Sequence, residues 1–437
     1  MNVLILDGSH PHDFMAKQIT DTLTGRLQAR GWYAENILLR EQKIGNCAGD
    51  FFCWTRNPGM CNINDDNRVI AAKVVQSDLL IYLTLVTFGG YSSALKRMVD
   101  HQIQNILPFF ANINGEIHHQ KRYKKYPNLL VIGWMDSPDA QAEAIFRHLV
   151  KRNAINMYAP NYACRLVIGE VRENDLNEQV EQCLDTIQYG SFSPASALPK
   201  MNFTSTVTTP VRRAVLLVGS PRTKKSTSAS LGDYLMERLS AHGIETETIQ
   251  IYTAFSSAER TRIALENLDS ADLAVLAFPL YVDSLPAPII AALEKIAVHR
   301  AGKPLRQRFA AIANCGFPEA SHNDTALAIC EQFARQTNLT WLGSLALGGG
   351  EGLVHGTPLD ELDGRVAPIK KSLEMAAEAL AAGKVIPQLA NELIAKPPIP
   401  NWMYQLAGGY GWKQRAKQYG VEKFLKKRPY EIMESAR

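Results

Sequence analysis

The sequence predicts an α/β fold written twice in one chain, each copy a parallel sheet with helices on both faces. Three observations predict it. Short apolar strand runs alternate with helical patterns, and parallel neighbours need such crossover connections. The strand runs at residues 2–6 and 214–218 each lead into Gly-Ser, at Gly8-Ser9 and Gly219-Ser220. The helices that follow align at a constant offset of 212, with Asp21, Leu23, Arg26 and Leu27 matching Asp233, Leu235, Arg238 and Leu239.

The remaining landmarks recur in the same order. A glycine closes the first helix of each copy, at Gly31 and Gly243. Ser77-Asp78 and Ala271-Asp272 then precede apolar strands at 79–85 and 273–278, each followed by a loop containing a tyrosine, Tyr91 or Tyr281. A further strand ends at Gly133-Trp134-Met135-Asp136-Ser137-Pro138 in the first copy and Asn314-Cys315-Gly316-Phe317-Pro318 in the second. The first copy carries two insertions, a cysteine-bearing loop at about 40–66 and a segment at about 101–127. The expected domains are therefore 1–189 and 212–385, joined by a Ser/Thr/Pro-rich linker at 190–211 and followed by a basic aromatic tail at 386–437.

Composition bounds the function. A chain of 437 residues with 46% hydrophobic and 21% charged residues is long enough for two or three globular domains. A net charge of +4 does not by itself indicate a nucleic-acid surface. Seven cysteines, an odd number in a long chain, point to reduced thiols rather than a disulfide framework. The first apolar run stops at Asp7, unlike a secretory signal, and candidate spans such as 288–298 are interrupted by Glu294 and Lys295. The expected location is the cytoplasm, with no stable membrane insertion and no nucleic-acid partner.

Doubly wound sheets bind ligands beyond the carboxyl ends of their strands, where these loops lie. The first loop of the second copy, Gly219 to Ser228, combines Ser220, Arg222, Ser226, Thr227 and Ser228 at a helix N-terminus, a donor set suited to a phosphate. It lacks the glycine spacing of an ATP loop or a dinucleotide fingerprint. The plain alternative is a solvated helix cap. The second loop carries Pro279, Leu280, Tyr281, Val282 and Asp283, and the third carries Asn314, Cys315, Gly316 and Phe317. A phosphate grip at one end and apolar, backbone-lined walls at the other suit flavin mononucleotide (FMN).

These three loops resemble the flavin-contacting segments of flavodoxin-like NAD(P)H-dependent FMN reductases and quinone reductases. The first copy resembles the iron-sulfur flavoprotein branch of the same superfamily, through Cys47 to Cys61, Asp65-Asp66, Ser77-Asp78 and the run from Phe88 to Asp100. The resemblance implies two flavodoxin-like three-layer domains, each with a five-stranded parallel sheet of order 2-1-3-4-5. It also implies FMN as cofactor and NAD(P)H as co-substrate, and adds Ser9, Phe88, Gly89, Gly90 and Tyr91 as candidate flavin contacts in the first copy. No catalytic side chain is assigned, because the chemistry is centred on the flavin.

Two departures from the family pattern stand out. Asp50 occupies the place of a thiol in the series Cys47, Asp50, Cys53, Cys61, so a four-cysteine cluster is not expected and no metal is assigned. The first loop of the first copy, Gly8 to Met15, has no arginine, and Asp13 opposes a phosphate there. His118 and His119 are open to a substrate-facing or a structural hydrogen-bonding role, and Cys315 to a packing role. Basic aromatic stretches like the tail can lie on membranes, although an arm packed on its own domains is the simpler reading.

The expected activity is electron transfer from NAD(P)H through bound flavin to a quinone, a flavin or another small acceptor, with homodimerisation open. The competing expectation is a flavodoxin-like electron carrier serving protein partners. A third expectation is that the first domain is a non-catalytic pseudo-dimerisation module, the two copies forming within one chain the pair that single-domain reductases form between subunits.

Overall fold

The computed structural model describes residues 1–190, 198, 210–223, 225–303, 307–362, 364–397 and 399–431. The chain divides into two compact units. Unit 1 comprises Met1–Ile113, His118–Leu198 and Gln405–Arg437, and unit 2 comprises Asn114–Ile117 and Pro199–Tyr404. Most of the expected linker at 190–211 lies outside the described residues. The expected tail at 386–437 is shared between the units, with Gln405 onward belonging to unit 1.

In order along the chain, the first copy forms β1 (Asn2–Asp7), α1 (Phe14–Ala29), β2 (Tyr33–Leu38), α2 (Phe52–Thr55), α3 (Asp66–Gln76), β3 (Leu79–Thr87), β4 (Gly90–Tyr91) and α4 (Ser93–Asp100). It continues with β5 (Ile106–Ile113), β6 (Glu116–Lys121), β7 (Asn128–Met135), α5 (Ala140–Asn156), β8 (Tyr162–Ile168) and α6 (Glu173–Asp185). The main sheet runs β2-β1-β3-β7-β8 with all neighbours parallel, and β4 folds back antiparallel on β3. Counting only the five main strands, this is the expected order 2-1-3-4-5. The second insertion of the sequence contributes the pair β5 and β6, a separate two-stranded sheet.

The second copy forms β9 (Arg213–Val218), α7 (Thr227–Ala241), β10 (Glu245–Gln250), α8 (Ile251–Ala254), α9 (Ala258–Asp269), β11 (Leu273–Pro279), α10 (Ala287–Arg300), β12 (Arg308–Asn314) and α11 (Asp324–Gln336). It ends with β13 (Thr340–Leu347), α12 (Gly350–Leu353), α13 (Ala367–Ala381) and α14 (Gln388–Ile394), and the chain finishes with α15 (Asn401–Lys417). The parallel sheet β10-β9-β11-β12-β13 repeats the order 2-1-3-4-5.

Central strands β3 and β11 read as nearly continuous apolar runs because helices cover both of their faces. On one face of the first sheet, Val3, Ile5 and Ile81 pack with Ile19, Leu23 and Leu27 of α1. The equivalent core joins Leu216, Val218, Val275 and Ala277 to Leu235 and Leu239 of α7. Fully burying such a side chain stabilises by about 1.5–3 kcal/mol. Each first helix begins at a side-chain cap: Asp13 accepts from the Ala16 N–H, and Ser226 accepts from the Ala229 N–H.

The repeat extends to backbone detail. The N–H of Gly8 donates to Leu83 at 2.9 Å, and that of Gly219 donates to Ala277 at 2.8 Å. A Cβ on Gly8 would meet Leu95 Cβ at 2.7 Å, and one on Gly219 would meet Ile289 Cδ1 at 2.3 Å. Only glycine lets the first loop press so closely on the helix after the third strand. Among the described residues, no helix is long and apolar enough to cross a membrane.

Candidate functional site

The site in unit 2 is assembled at the carboxyl ends of β9, β11 and β12. In the first loop, Ser226 Oγ donates to the Thr223 carbonyl at 2.7 Å while capping α7. Thr227 Oγ1 donates to the Gly350 carbonyl at 3.3 Å. Asn314, buried at the end of β12, ties the loops together: its Nδ2 donates to Ser228 Oγ at 2.9 Å and to the Phe278 carbonyl at 3.0 Å. The Leu280 N–H donates to the Asn314 carbonyl at 2.8 Å, joining the second loop to the third. Ser220, Ser226, Thr227, Ser228 and Asn314 are all buried.

The second loop is a tight hairpin. Tyr281 and Ser284 exchange backbone hydrogen bonds of 2.9 and 3.1 Å. Val282 and Asp283 between them take φ of 45° and 57°. A β-branched residue at positive φ is strained, and such strain persists where the surrounding structure enforces it. Unit 1 builds the same hairpin from Thr87 and Gly90, with Phe88 and Gly89 at φ of 52° and 80°. By hairpin position, Thr87 is therefore the counterpart of Tyr281, while Tyr91 corresponds to Leu285. Tyr91 lies wholly in the core, edge-on to Tyr82 and Phe146.

In the third loop, Gly316 faces open space where a Cβ would stand, and Phe317 stacks on the buried His322 at 4.3 Å. Cys315 is packed away: its thiol donates to the Phe317 carbonyl at 3.4 Å, and burial pushes its pKa up to about 12. A neutral, buried thiol is a packing residue rather than a nucleophile.

Three participants on these two sites escape sequence reasoning. Arg222 Nη1 donates to both carboxylate oxygens of Glu351, at 2.9 and 3.0 Å. Glu351 arrives on α12 directly after the run Gly348-Gly349-Gly350, and that glycine run is the signal the sequence offers. A Cβ on Gly350 would meet Thr227 Cγ2 at 3.1 Å, and one on Gly356 would meet the Lys225 carbonyl carbon at 2.6 Å. Tyr404, expected in the tail, donates its hydroxyl to the Gly316 carbonyl at 2.8 Å. In unit 1, Arg40 Nη1 donates to Ser9 Oγ at 2.9 Å and supplies a guanidinium that the first loop itself lacks.

The donor set of unit 2 fits the phosphate of FMN. It offers the N-terminus of a 15-residue helix, four hydroxyl side chains and Arg222, and the open side of Gly316 admits a flat ring. The first loop of unit 1 does not fit a phosphate. Asp7 Oδ1 already accepts the Ser9 N–H at 2.8 Å, and Asp13 accepts both the Ala16 N–H and Trp134 Nε1 at 3.0 Å. A carboxylate at the end of β1 and another on the loop repel an anion despite Arg40.

The insertions of unit 1 are structural in their contacts. Asp50 Oδ1 accepts the Phe52 N–H at 2.9 Å, the role of a local cap. Burial raises the pKa of the Cys53 thiol and pushes that of Cys47 up to about 12. Among the described residues, no group of three or more His, Cys, Asp or Glu is placed to hold a metal ion. His118 Nδ1 lies 2.7 Å from Asn156 Oδ1, and His119 stacks on Phe110 at 5.1 Å. An open cleft between α9 and α10, lined by Thr261, Arg262, Lys295 and His299 among others, includes none of the loop residues.

The model of a family described as NADPH-dependent FMN reductase matches residues 1–123 and 212–329, together more than half of the chain. Comparison with curated proteins finds no match. Among solved structures, an FMN-dependent NADH-azoreductase from Bacillus anthracis str. Ames Ancestor, in complex with FMN, is 15% identical with a TM-score of 0.30, covering 39% of this chain and 100% of its own. An NAD(P)H:quinone oxidoreductase from Methanothermobacter marburgensis is 16% identical with a TM-score of 0.29, covering 39% of this chain and 98% of its own. On the two family segments and the twofold 2-1-3-4-5 sheet, the chain belongs to the NADPH-dependent FMN reductase family, as an NAD(P)H-dependent oxidoreductase with FMN as its cofactor.

Proposed function

We propose that unit 2 carries the flavin and that the chain passes electrons from NAD(P)H through FMN to a quinone, a free flavin or another small acceptor in the cytoplasm. The observation that carries this reading is Asn314, whose amide joins Ser228 of the first loop to Phe278 at the second while its own backbone begins the third. Ser220, Arg222, Ser226, Thr227 and Ser228 would hold the phosphate. Pro279 to Asp283 and Asn314 to Phe317 would line the ring, with Tyr404 beside Gly316. Bound FMN supplies the acceptance of hydride from the nicotinamide and the delivery of electrons to the acceptor. The half-buried Leu280 and Tyr281 and the open side of Gly316 would orient the ring.

Unit 1 is read as the non-catalytic partner domain, and the domain limits are taken as 1–189 and 212–385. Asp7 at the end of β1, Asp13 on the first loop and the core position of Tyr91 support this. The contacts at Ser9, Phe88, Gly89 and Gly90 then serve the fold of the loop rather than a second flavin. The test is a count of flavin per chain in the purified protein, together with Arg222→Ala. One FMN per chain, with affinity lowered about tenfold or more in the variant, is expected from loss of a charge-assisted phosphate contact. Two flavins per chain, or unchanged FMN affinity in Arg222→Ala, would overturn the assignment. Steady-state NADPH oxidation with a quinone separates the reductase from a carrier that serves only protein partners.

A further inference from the structure

The last segment of unit 1 has two faces with different jobs. The inner face of α15 is anchored. A Cβ on Gly408 would meet Phe110 Cε2 at 2.6 Å, Trp412 packs edge-on to Phe51 and Trp54 at 5.1 Å, and Ala416 is fully buried. Beyond the helix, Arg122, itself buried, donates to the carbonyls of Leu425 and Lys427 at 3.0 and 2.7 Å and fixes the following turn to the unit.

With the inner face held, the opposite face points outward as a consequence of helical geometry. Leu406, Tyr410, Lys413 and Lys417 recur at spacings of three and four residues and are all exposed. Leu406 is 68% exposed and Tyr410 66%, and Phe424 in the next turn is 57% exposed. Lys423, Lys426 and Lys427 are exposed beside it. Residues 405–431 hold seven Lys and Arg against the two acids Glu422 and Glu431, a net charge of +5 in a chain whose total is +4. With Arg415 lying over Phe51 and Trp412 and Arg428 paired with Glu431, the five lysines carry the outward charge. The rest of the chain, which holds most of the basic residues, is close to neutral in net charge, so the local excess of positive charge lies in this segment.

We propose that this face of α15 and the turn after it dock unit 1 on an anionic lipid bilayer surface. The chemistry is that of an interfacial helix. Leu406, Tyr410 and Phe424 enter the boundary between headgroups and acyl chains, while the lysines pair with lipid phosphates. An acidic protein partner would use the same lysines, and sedimentation with lipid vesicles distinguishes it from a bilayer. Binding at the surface needs no membrane-spanning helix.

The full-length protein is sedimented with vesicles of phosphatidylglycerol mixed with phosphatidylcholine, and with vesicles of phosphatidylcholine alone. Sedimentation with the mixed vesicles only, weakened by salt, is the expected result. Each of Lys413→Gln, Lys417→Gln and Lys423→Gln lowers partitioning about fivefold, the equivalent of ~1 kcal/mol per lysine near such a surface. Leu406→Ser with Tyr410→Ser abolishes the part of the binding that survives high salt. Tyr33→Ser, which alters an equally exposed aromatic on β2, leaves binding unchanged. The proposal is overturned by a wild-type protein that does not sediment, by equal sedimentation with neutral vesicles, or by loss-free behaviour of the substituted proteins. It is also overturned if the wild type is a dimer that Leu406→Ser with Tyr410→Ser converts to monomer without any lipid binding, since a second copy then covers the face.

Discussion

Replacing Glu351 by Gln should tighten FMN binding. In the structure the carboxylate holds the one arginine of the phosphate loop through two contacts of 2.9 and 3.0 Å to Arg222 Nη1. The side chains are 27% and 28% exposed, so solvent screens the pair only in part. A hydrogen bond between charged groups contributes about 1.5–3 kcal/mol net, and partial exposure reduces this to about 1–2 kcal/mol. A phosphate that recruits Arg222 must compete with that contact and tolerate a neighbouring negative charge. The amide of Gln keeps the shape, removes the charge and releases the guanidinium. FMN affinity should therefore rise about five- to thirtyfold. The assay is quenching of flavin fluorescence on titration with protein, run with FMN and with riboflavin, which lacks the phosphate. Tightening of FMN with riboflavin unchanged is the expected outcome. No change for FMN, or an equal gain for both flavins, would refute the reasoning.

Three further outcomes follow from the same geometry. Gly356→Ala places a Cβ 2.6 Å from the Lys225 backbone at a φ of +75°, so it should destabilise unit 2 by roughly 1–3 kcal/mol, read as a lower urea midpoint, and weaken FMN binding with it. Glu331, half-buried on α11, has its pKa raised by burial to about 7 against the opposing pull of Arg335. A carboxyl with a raised folded pKa favours the protonated folded state, so its contribution is full below about pH 4.5 and is lost as pH rises through 7. Urea midpoints of wild type and Glu331→Gln should diverge across that interval, and parallel curves would show that the group is not perturbed. The Cys315 thiol, raised by burial from 9.0 to about 12, should resist alkylation in the folded protein at pH 8. Its stabilising contribution is complete below pH 9 and declines between 9 and 12. Cys315→Ser should leave NADPH oxidation by the flavin-loaded protein within about twofold, and a larger loss would return the thiol to the chemistry.

Much of the architecture was legible in local pattern. The Gly-Ser ends of the first strands, the helix repeat through Leu23 and Leu235, and the apolar runs at β3 and β11 are short-range signals. They reflect burial on both faces of a parallel sheet and the need for glycine where loop meets helix. The three loops of unit 2 were legible for the same reason, since each lies at a strand end that the sequence itself marks. Tyr91 was less transparent. Tyr91 and Tyr281 occupy corresponding loops, but the hairpin register pairs Tyr281 with Thr87, because a two-residue turn leaves no freedom in which residues oppose each other.

The sequence alone determined that two related α/β copies are present, where the loops at the carboxyl ends of their strands lie, and that a hydroxyl-rich loop with Arg222 heads the second copy. Only the tertiary structure decided which charges meet. Glu351 reaches Arg222 across 129 residues, and Arg40 reaches Ser9 across 31. Asp13 puts a carboxylate on the helix-cap amide where unit 2 has the hydroxyl of Ser226, Asp7 puts another on the Ser9 amide, and the tail presents one face to Phe51 and Trp54 and the other to solvent. Periodicity records which side of an element is apolar, whereas the pairing of polar side chains depends on distances that arise only when remote segments fold together.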